Sequence, residues 1–305
     1  GEGLAGANLD LSQLQNLTIT HCPNLTDLGL IMILNMCWQN LRYLKLSLST
    51  FLHKRTYNIM QHGLAHQFNK LEEIDLVNSA LSEKCLCILL EAAKVSLKRL
   101  KLTFFNITGE ELVSFAGYLD RLDTLSLTSQ RNITEKGFYE LLRISQPNLK
   151  TLHIHCREIS GESLGQKLNL ERLEYLNLEN CVLLTSTGLF QLLKTCGKAL
   201  KTLHLNNSKL SFEEAFNQLP ANLFDILDLN LTGCVNLTNI GLNQVLRVCG
   251  SNIESLVVKR TNINGEGLRD VSSLASLEIL NARYSKLNNT GLQTFFRLAG
   301  HKLKH

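Results

Sequence analysis

The sequence predicts an α/β repeat fold: a right-handed, horseshoe-shaped solenoid with a parallel β-sheet on its concave face and helices on its convex face. Two observations predict it. A core of the form Leu-x-x-Leu-x-(Leu, Ile or Val) begins at Leu14, Leu41, Leu71, Leu97, Leu122, Leu149, Leu173, Leu200, Ile226, Ile253 and Leu277, so successive starts differ by 27, 30, 26, 25, 27, 24, 27, 26, 27 and 24 residues. Each core is also followed by a helix-spaced stretch, clearest between Leu173 and Leu200. There Leu173, Leu176 and Leu178 alternate with polar residues as a short strand, Cys181 closes the strand, and Thr187-Gly188-Leu189 opens a helix. Eleven such units account for residues 14–302.

Taken in order, residues 1–13 read as the convex half of a leading partial repeat, because Gly3-Leu4 before Leu14 mirrors Gly29-Leu30 before Leu41. The repeat from Leu41 is the longest at 30 residues, and Phe51 to Tyr57 adds a basic and aromatic loop that reads either as a recognition site or as a neutral insertion. The repeat from Leu97 places Phe104 and Phe105 at its strand exit, and Phe105 is expected to pack inward. At the other end, Gly291-Leu292 before Leu303 matches Gly188-Leu189 before Leu200, so residues 303–305 would start a further repeat. Neither end carries a recognisable cap. Uncapped ends expose leucines and strand edges, which predicts either a piece of a longer chain or ends that stack on one another in self-association.

The eighth position after each start is Cys22, Ser49, Ser79, Cys181, Ser208, Cys234, Thr261 or Ser285, with Phe105, Gln130 and Arg157 as exceptions. A buried small residue is expected there, turning the backbone out of the strand. A single domain spanning 1–305 is expected, since a repeat array needs no central core. The net charge of +4 is spread along the chain, which argues against nucleic acid, and no apolar run is long enough to span a membrane.

Nine cysteines would suggest disulfides in a secreted protein. Their positions suggest otherwise. Cys22 and Cys37, Cys181 and Cys196, and Cys234 and Cys249 recur 15 residues apart at equivalent places, as small buried residues would. A reducing compartment is therefore expected, cytoplasmic or nuclear, with secretion the alternative. Eight Asn-x-(Ser/Thr) sequons, at Asn16, Asn24, Asn106, Asn132, Asn206, Asn230, Asn236 and Asn288, read as the way this repeat spells its turns.

The unit Cys-x-x-Leu-Thr-x-x-Gly-Leu-x-x-(Leu or Val)-Leu-x-x-Cys, seen from Cys181 to Cys196, from Cys234 to Cys249 and nearly so from Cys22 to Cys37, resembles the cysteine-containing leucine-rich repeats. Their best-known carriers are the F-box leucine-rich-repeat proteins, substrate-recognition subunits of ubiquitin ligases. That resemblance implies a protein partner and a ligase scaffold held through a region outside this segment, since no F-box-like helical stretch is present in these residues. A stand-alone recognition receptor, for instance in innate immunity, is the other role this repeat type implies.

Strand alternation nominates the working surface, because residues two, four and six after each start face away from the leucine core. Three groups stand out there. Lys45, Arg99 and Lys101 flank Glu73 and Asp75; His153, His155, Glu179 and His204 fall in three adjacent repeats; and Lys259, Arg260, Arg283 and Tyr284 form a basic, aromatic corner. An inner arc of about 50 Å suits a protein or a long peptide. The histidines suggest a metal, but His204 is two strands, about 10 Å, from the other two, so no ligand triad is enforced and neither metal nor cofactor is expected. The cluster suggests pH-sensitive binding instead. Catalysis finds no support. Gly1-Glu2-Gly3-Leu4-Ala5-Gly6 matches a dinucleotide motif by letter only, with no strand before it.

Overall fold

The structure, a computed structural model, describes residues 9–22, 25, 27–47, 67–78, 83–103, 107–130, 132–165, 168–266, 268 and 274–305. The expected loop at Phe51 to Tyr57, the Phe104 and Phe105 pair, and Ser49 and Ser79 lie outside the described residues.

The chain divides into two compact units, residues 1–149 and 150–305. The first contains β1 (Asn16–Thr20), α1 (Asp27–Cys37), β2 (Tyr43–Ser47), β3 (Glu73–Val77), α2 (Glu83–Ala93), β4 (Arg99–Thr103), a 3-10 turn (Glu110–Ser114), β5 (Thr124–Gln130) and α3 (Glu135–Ser145). The second contains β6 (Thr151–Cys156), a 3-10 turn (Glu162–Gly165), β7 (Tyr175–Asn177), α4 (Ser186–Thr195), β8 (Thr202–His204), α5 (Phe212–Asn217), β9 (Asp228–Asn230), α6 (Asn239–Cys249), β10 (Ser255–Val257), β11 (Ile279–Asn281) and α7 (Asn289–Ala299). Each strand begins two residues after a start read from the sequence. Within each unit all pairing is parallel and in repeat register: Leu17, Leu44, Ile74, Leu100 and Leu125 align in the first, Leu152, Leu176, Leu203, Leu229, Leu256 and Leu280 in the second. The fold is α/β and built of leucine-rich repeats.

The leucine rows explain why the units hold. Leu44, Ile74, Leu100 and Leu125, and Leu152, Leu176, Leu203, Leu229 and Leu256, are all inaccessible to solvent. Each buried side chain of this size contributes about 1.5–3 kcal/mol of hydrophobic stabilisation before entropy is counted. The convex segments differ between repeats, and length alone does not set them, since the 26-residue repeats from Leu71 and Leu200 carry helices of 11 and 6 residues. The 27-residue repeats from Leu122, Leu173 and Ile226 carry helices of 11, 10 and 11 residues. The 25- and 24-residue repeats from Leu97 and Leu149 carry 3-10 turns of 5 and 4 residues.

The recurring Leu-Thr-x-x-Gly-Leu has a direct physical reading. Its Thr is the helix N-cap: the side chains of Thr134, Thr185 and Thr238 accept from the amides of Gly137, Gly188 and Gly241, each at 3.0 Å. The α4 helix therefore opens at Ser186 behind Thr185, slightly earlier than Thr187. The Gly is required by contact with the previous repeat. A Cβ on Gly137 or Gly188 would lie 1.8 or 2.0 Å from the carbonyl oxygen of Thr108 or Ser160. An arginine further along the helix ties the same neighbours together, as Arg247 Nη2 donates to the carbonyls of Phe216 (3.0 Å) and Leu219 (2.9 Å) in the preceding repeat.

The strand exits differ from expectation in one respect. The backbone reverses at the seventh position, not the eighth: His21, Asn78, Ser129, Asn180, Asn207, Gly233, Arg260 and Tyr284 all have φ between 44° and 72°. At three repeats the eighth residue donates to a carbonyl at the end of the preceding strand, whereas Thr261 donates to Val258 O of its own repeat at 2.7 Å. Gln130 donates to Leu102 O at 2.7 Å, Cys181 to Ile154 O at 3.5 Å and Cys234 to Leu205 O at 3.1 Å. Those carbonyls lie where the ladder ends, so a buried donor is what they lack. Gln130 fills the position because its amide reaches as a thiol does. Cys22 departs from the buried-cysteine expectation: it is exposed, its thiol donating to its own repeat's Thr20 O at 3.3 Å.

All nine cysteines are free thiols. Burial pushes the thiols of Cys37 and Cys181 up to about 11 and those of Cys87 and Cys196 up to about 12, so they pack as small apolar groups and not as nucleophiles. Among the described residues no helix is long and apolar enough to cross a membrane. At the C-terminus, the amides of Lys304 and His305 donate to Glu278 O at 2.8 and 3.2 Å, as those of Glu278 and Ile279 do to Glu254 O at 2.8 and 3.0 Å.

Candidate functional site

The outward-facing strand residues fall into the three groups anticipated from the sequence, and the three prove physically unlike. On β2 to β4, register sets Tyr43, Glu73 and Arg99 in one row and Lys45, Asp75 and Lys101 in the next. Opposite charges therefore meet across each strand boundary. Lys45 Nζ lies 3.1 Å from Asp75, while Arg99 Nε and Lys101 Nζ lie 2.6 and 2.7 Å from the two oxygens of Glu73. Burial alone raises the Glu73 carboxyl, but hydrogen bonds and charge from Lys101 and Arg99 outweigh it and hold the group below its ordinary range. Asp75 is only 8% accessible, far more covered than an outward strand position predicts. The side chain of Lys45 closes over it from the neighbouring strand.

On β6 to β9, His153, Asn177, His204 and Asn230 form one row. His153 is half-buried. That burial, with His155 and His204 adding like charge, holds its imidazole below the ordinary value, against an opposing pull from Glu179. His204 Nε2 lies 2.9 Å from Asp228 Oδ2 and its ring meets Tyr175 edge-on at 5.6 Å. Asn177 donates to Tyr175 Oη at 3.3 Å, and its Oδ1 accepts from the Glu179 amide at 2.9 Å, which fixes the turn carrying Glu179. Among the described residues no group of three or more His, Cys, Asp or Glu is arranged to hold a metal ion.

The third group sits at the exits of β10 and β11. Tyr284 is 63% exposed, with the Arg283 guanidinium 4.7 Å and the Arg260 guanidinium 5.7 Å from its ring centroid. Arg283 Nη2 also donates to Tyr284 Oη at 2.9 Å. The Arg260 amide donates to Arg283 O at 3.0 Å, and Lys259 O accepts from the Gly233 amide at 2.8 Å, so the backbone beneath the corner is pinned. Among the described residues no carboxylate pairs with Lys259, Arg260 or Arg283.

The histidines, Lys259 and Arg283 occupy the fourth and sixth positions of the repeat and Arg260 and Tyr284 the seventh, but none of these positions holds Tyr43, Tyr175 or Asp228. These occupy the second position, the same outward face, and the row Tyr175, Thr202, Asp228 and Ser255 is readable from the same repeat starts.

No protein-family model matches the chain. Among solved structures it is similar to the crystal structure of the Rad7 and Elc1 complex in yeast, at 19% identity over 87% of this chain and 73% of that one, with a TM-score of 0.45. The repeat fold rests on the strand register and leucine rows described above.

Proposed function

We propose that the chain is a protein-recognition scaffold, binding a protein partner on the outward face of its strands and recruiting that partner to a ubiquitin ligase. The observation that carries the recognition reading is the basic, aromatic corner of Lys259, Arg260, Arg283 and Tyr284. It consists of charged and aromatic side chains presented to solvent on pinned backbone, without internal counter-charges among the described residues. Arg and Tyr on a rigid base are the residue types that dominate protein interfaces. The ligase role rests on the cysteine-containing repeat, which resembles that of F-box leucine-rich-repeat proteins. Among the described residues nothing in the arrangement points to catalysis: beside the His204 and Asp228 pair, the Ser255 hydroxyl is hydrogen-bonded to the Asp228 carboxylate, and the imidazole is engaged by Asp228 and Tyr175.

Affinity purification from cells tests both parts. The full-length protein is compared with a variant carrying Lys101→Glu, His155→Ala and Arg283→Glu. Loss of partners in the variant, with cullin-type ligase subunits retained in both, is the expected result. Survival of the same partners with no ligase subunit in either sample would refute both the face and the ligase role.

A further inference from the structure

The seventh position of the repeat is a backbone site with a sequence rule. In six of the eight repeats where it is left-handed, the residue is His21, Asn78, Ser129, Asn180, Asn207 or Gly233, with φ between 44° and 72°. Asn, His and Gly enter this region readily and Ser is small, whereas long or bulky side chains are outliers there. The last two repeats break the rule. Arg260 and Tyr284 hold φ of 54° and 61°. Backbone strain accepted at two adjacent repeats, where Asn would serve the fold better, marks side chains kept for another purpose.

The charges agree. Arg260 and Arg283 both lie against one Tyr284 ring, Lys259 adjoins them, and no carboxylate of the described residues neutralises the group. Three like charges gathered at the exits of two neighbouring strands repel one another, and a bound anion relieves that repulsion. An extended polyanion would need a continued track of cations. The outward positions of the adjoining strands are instead Asp228, Asn230, Ser255, Val257, Ile279 and Asn281, which offer no such track. A short peptide with carboxylates for the guanidinium forks and an apolar side chain for the exposed Tyr284 ring and Ile279 fits the composition.

We propose that Lys259, Arg260, Arg283 and Tyr284 anchor an acidic peptide segment of the partner protein. This rests on the recognition reading above and assigns it a ligand chemistry and a place.

The test uses the purified full chain to select from a displayed library of random 12-residue peptides, followed by fluorescence polarisation with the selected sequences. The expected selection is enriched in Asp and Glu, and Arg283→Gln weakens binding about ten-fold or more. Phosphoserine in place of the carboxylates, and single-stranded RNA as competitor, are run alongside. Tighter binding of the phosphorylated peptide, or displacement by RNA at lower concentration than by acidic peptide, would overturn the assignment. A second readout separates function from fold. Tyr284→Asn and Arg260→Asn each weaken peptide binding while raising the Tm by about 1–3 °C, because Asn relieves the left-handed strain. A lower Tm with unchanged binding would make the corner structural. An absent acidic bias, or a bias that Arg283→Gln leaves intact, would overturn the proposal. Acidic peptides whose binding is lost with His155→Ala but not Arg283→Gln would leave the recognition reading standing while moving the site.

Discussion

The charged strand face of the first unit and that of the second both come from the same outward positions of the same repeat, yet they dispose of their charges in opposite ways. On β3 and β4, Glu73 sits between Arg99 and Lys101, and Asp75 is covered by Lys45, so the cations are answered by the chain itself. At the exits of β10 and β11, Arg260, Arg283 and Lys259 gather around a tyrosine with no acid among the described residues. Parallel register explains how one repeat supports both. It stacks equivalent positions of adjacent repeats, so an acidic repeat beside a basic one gives ion pairs, and two basic repeats side by side give a concentrated positive patch. Charge on the first face is paired within the chain, and charge on the second is the charge that the proposal above assigns to a partner.

The largest expected effect tests the paired face. Glu73→Ala strips the counter-charge from two cations and removes a carboxylate whose side chain is 12% exposed. Arg99 and Lys101 can turn to water, so the loss is expected at about 1–2 kcal/mol, seen as a lower urea midpoint. An unchanged midpoint would break the comparison. Arg283→Gln sharpens it from the other side, with folding stability moved by no more than about 0.5 kcal/mol. A large drop in stability there would show the corner to be structural.

The pH dependence separates the faces further. The imidazole of His153 is held below its ordinary value, so the unfolded chain binds more protons than the folded one as pH falls through about 6.5. Stability should therefore decline between pH 7.5 and 5.5, and His153→Gln should flatten that limb. Glu73, held below its usual range by its cation partners, contributes stability above that range and loses it as pH falls through and below about 4.5, so Glu73→Gln should flatten only the acidic limb. Thermal melts across the two windows check both. The smallest effect is Lys45→Ala, expected at about 0.5 kcal/mol at low salt and less at high salt, because a 34% exposed ammonium is partly screened.

The repeat was largely legible because it is written in apolar spacing: Leu14, Leu173 and Ile253 and their equivalents locate strands, and the shorter spacings after Leu97 and Leu149 match helices shrunk to 3-10 turns. The capping motif was visible as letters, but its glycine is explained only by the carbonyls of Thr108 and Ser160 packed against it. The left-handed exit was not legible, since His21, Ser129, Gly233 and Tyr284 share a backbone state and no side-chain chemistry. Nor was the covering of Asp75, which depends on where the Lys45 side chain lies. The histidines stand out in the sequence, while Tyr175 and Asp228 do not, because a lone second-position residue acquires its partner only when strand register sets it beside the His204 imidazole.

The most direct test of the division between the faces is a hydrogen-exchange footprint of the full chain, free and bound to a selected acidic peptide. Slowed exchange confined to residues 255–260 and 279–285, with residues 73–77 and 99–103 unchanged, is the predicted result. Protection centred on β3 and β4, with none at Arg260 or Tyr284, would contradict the account.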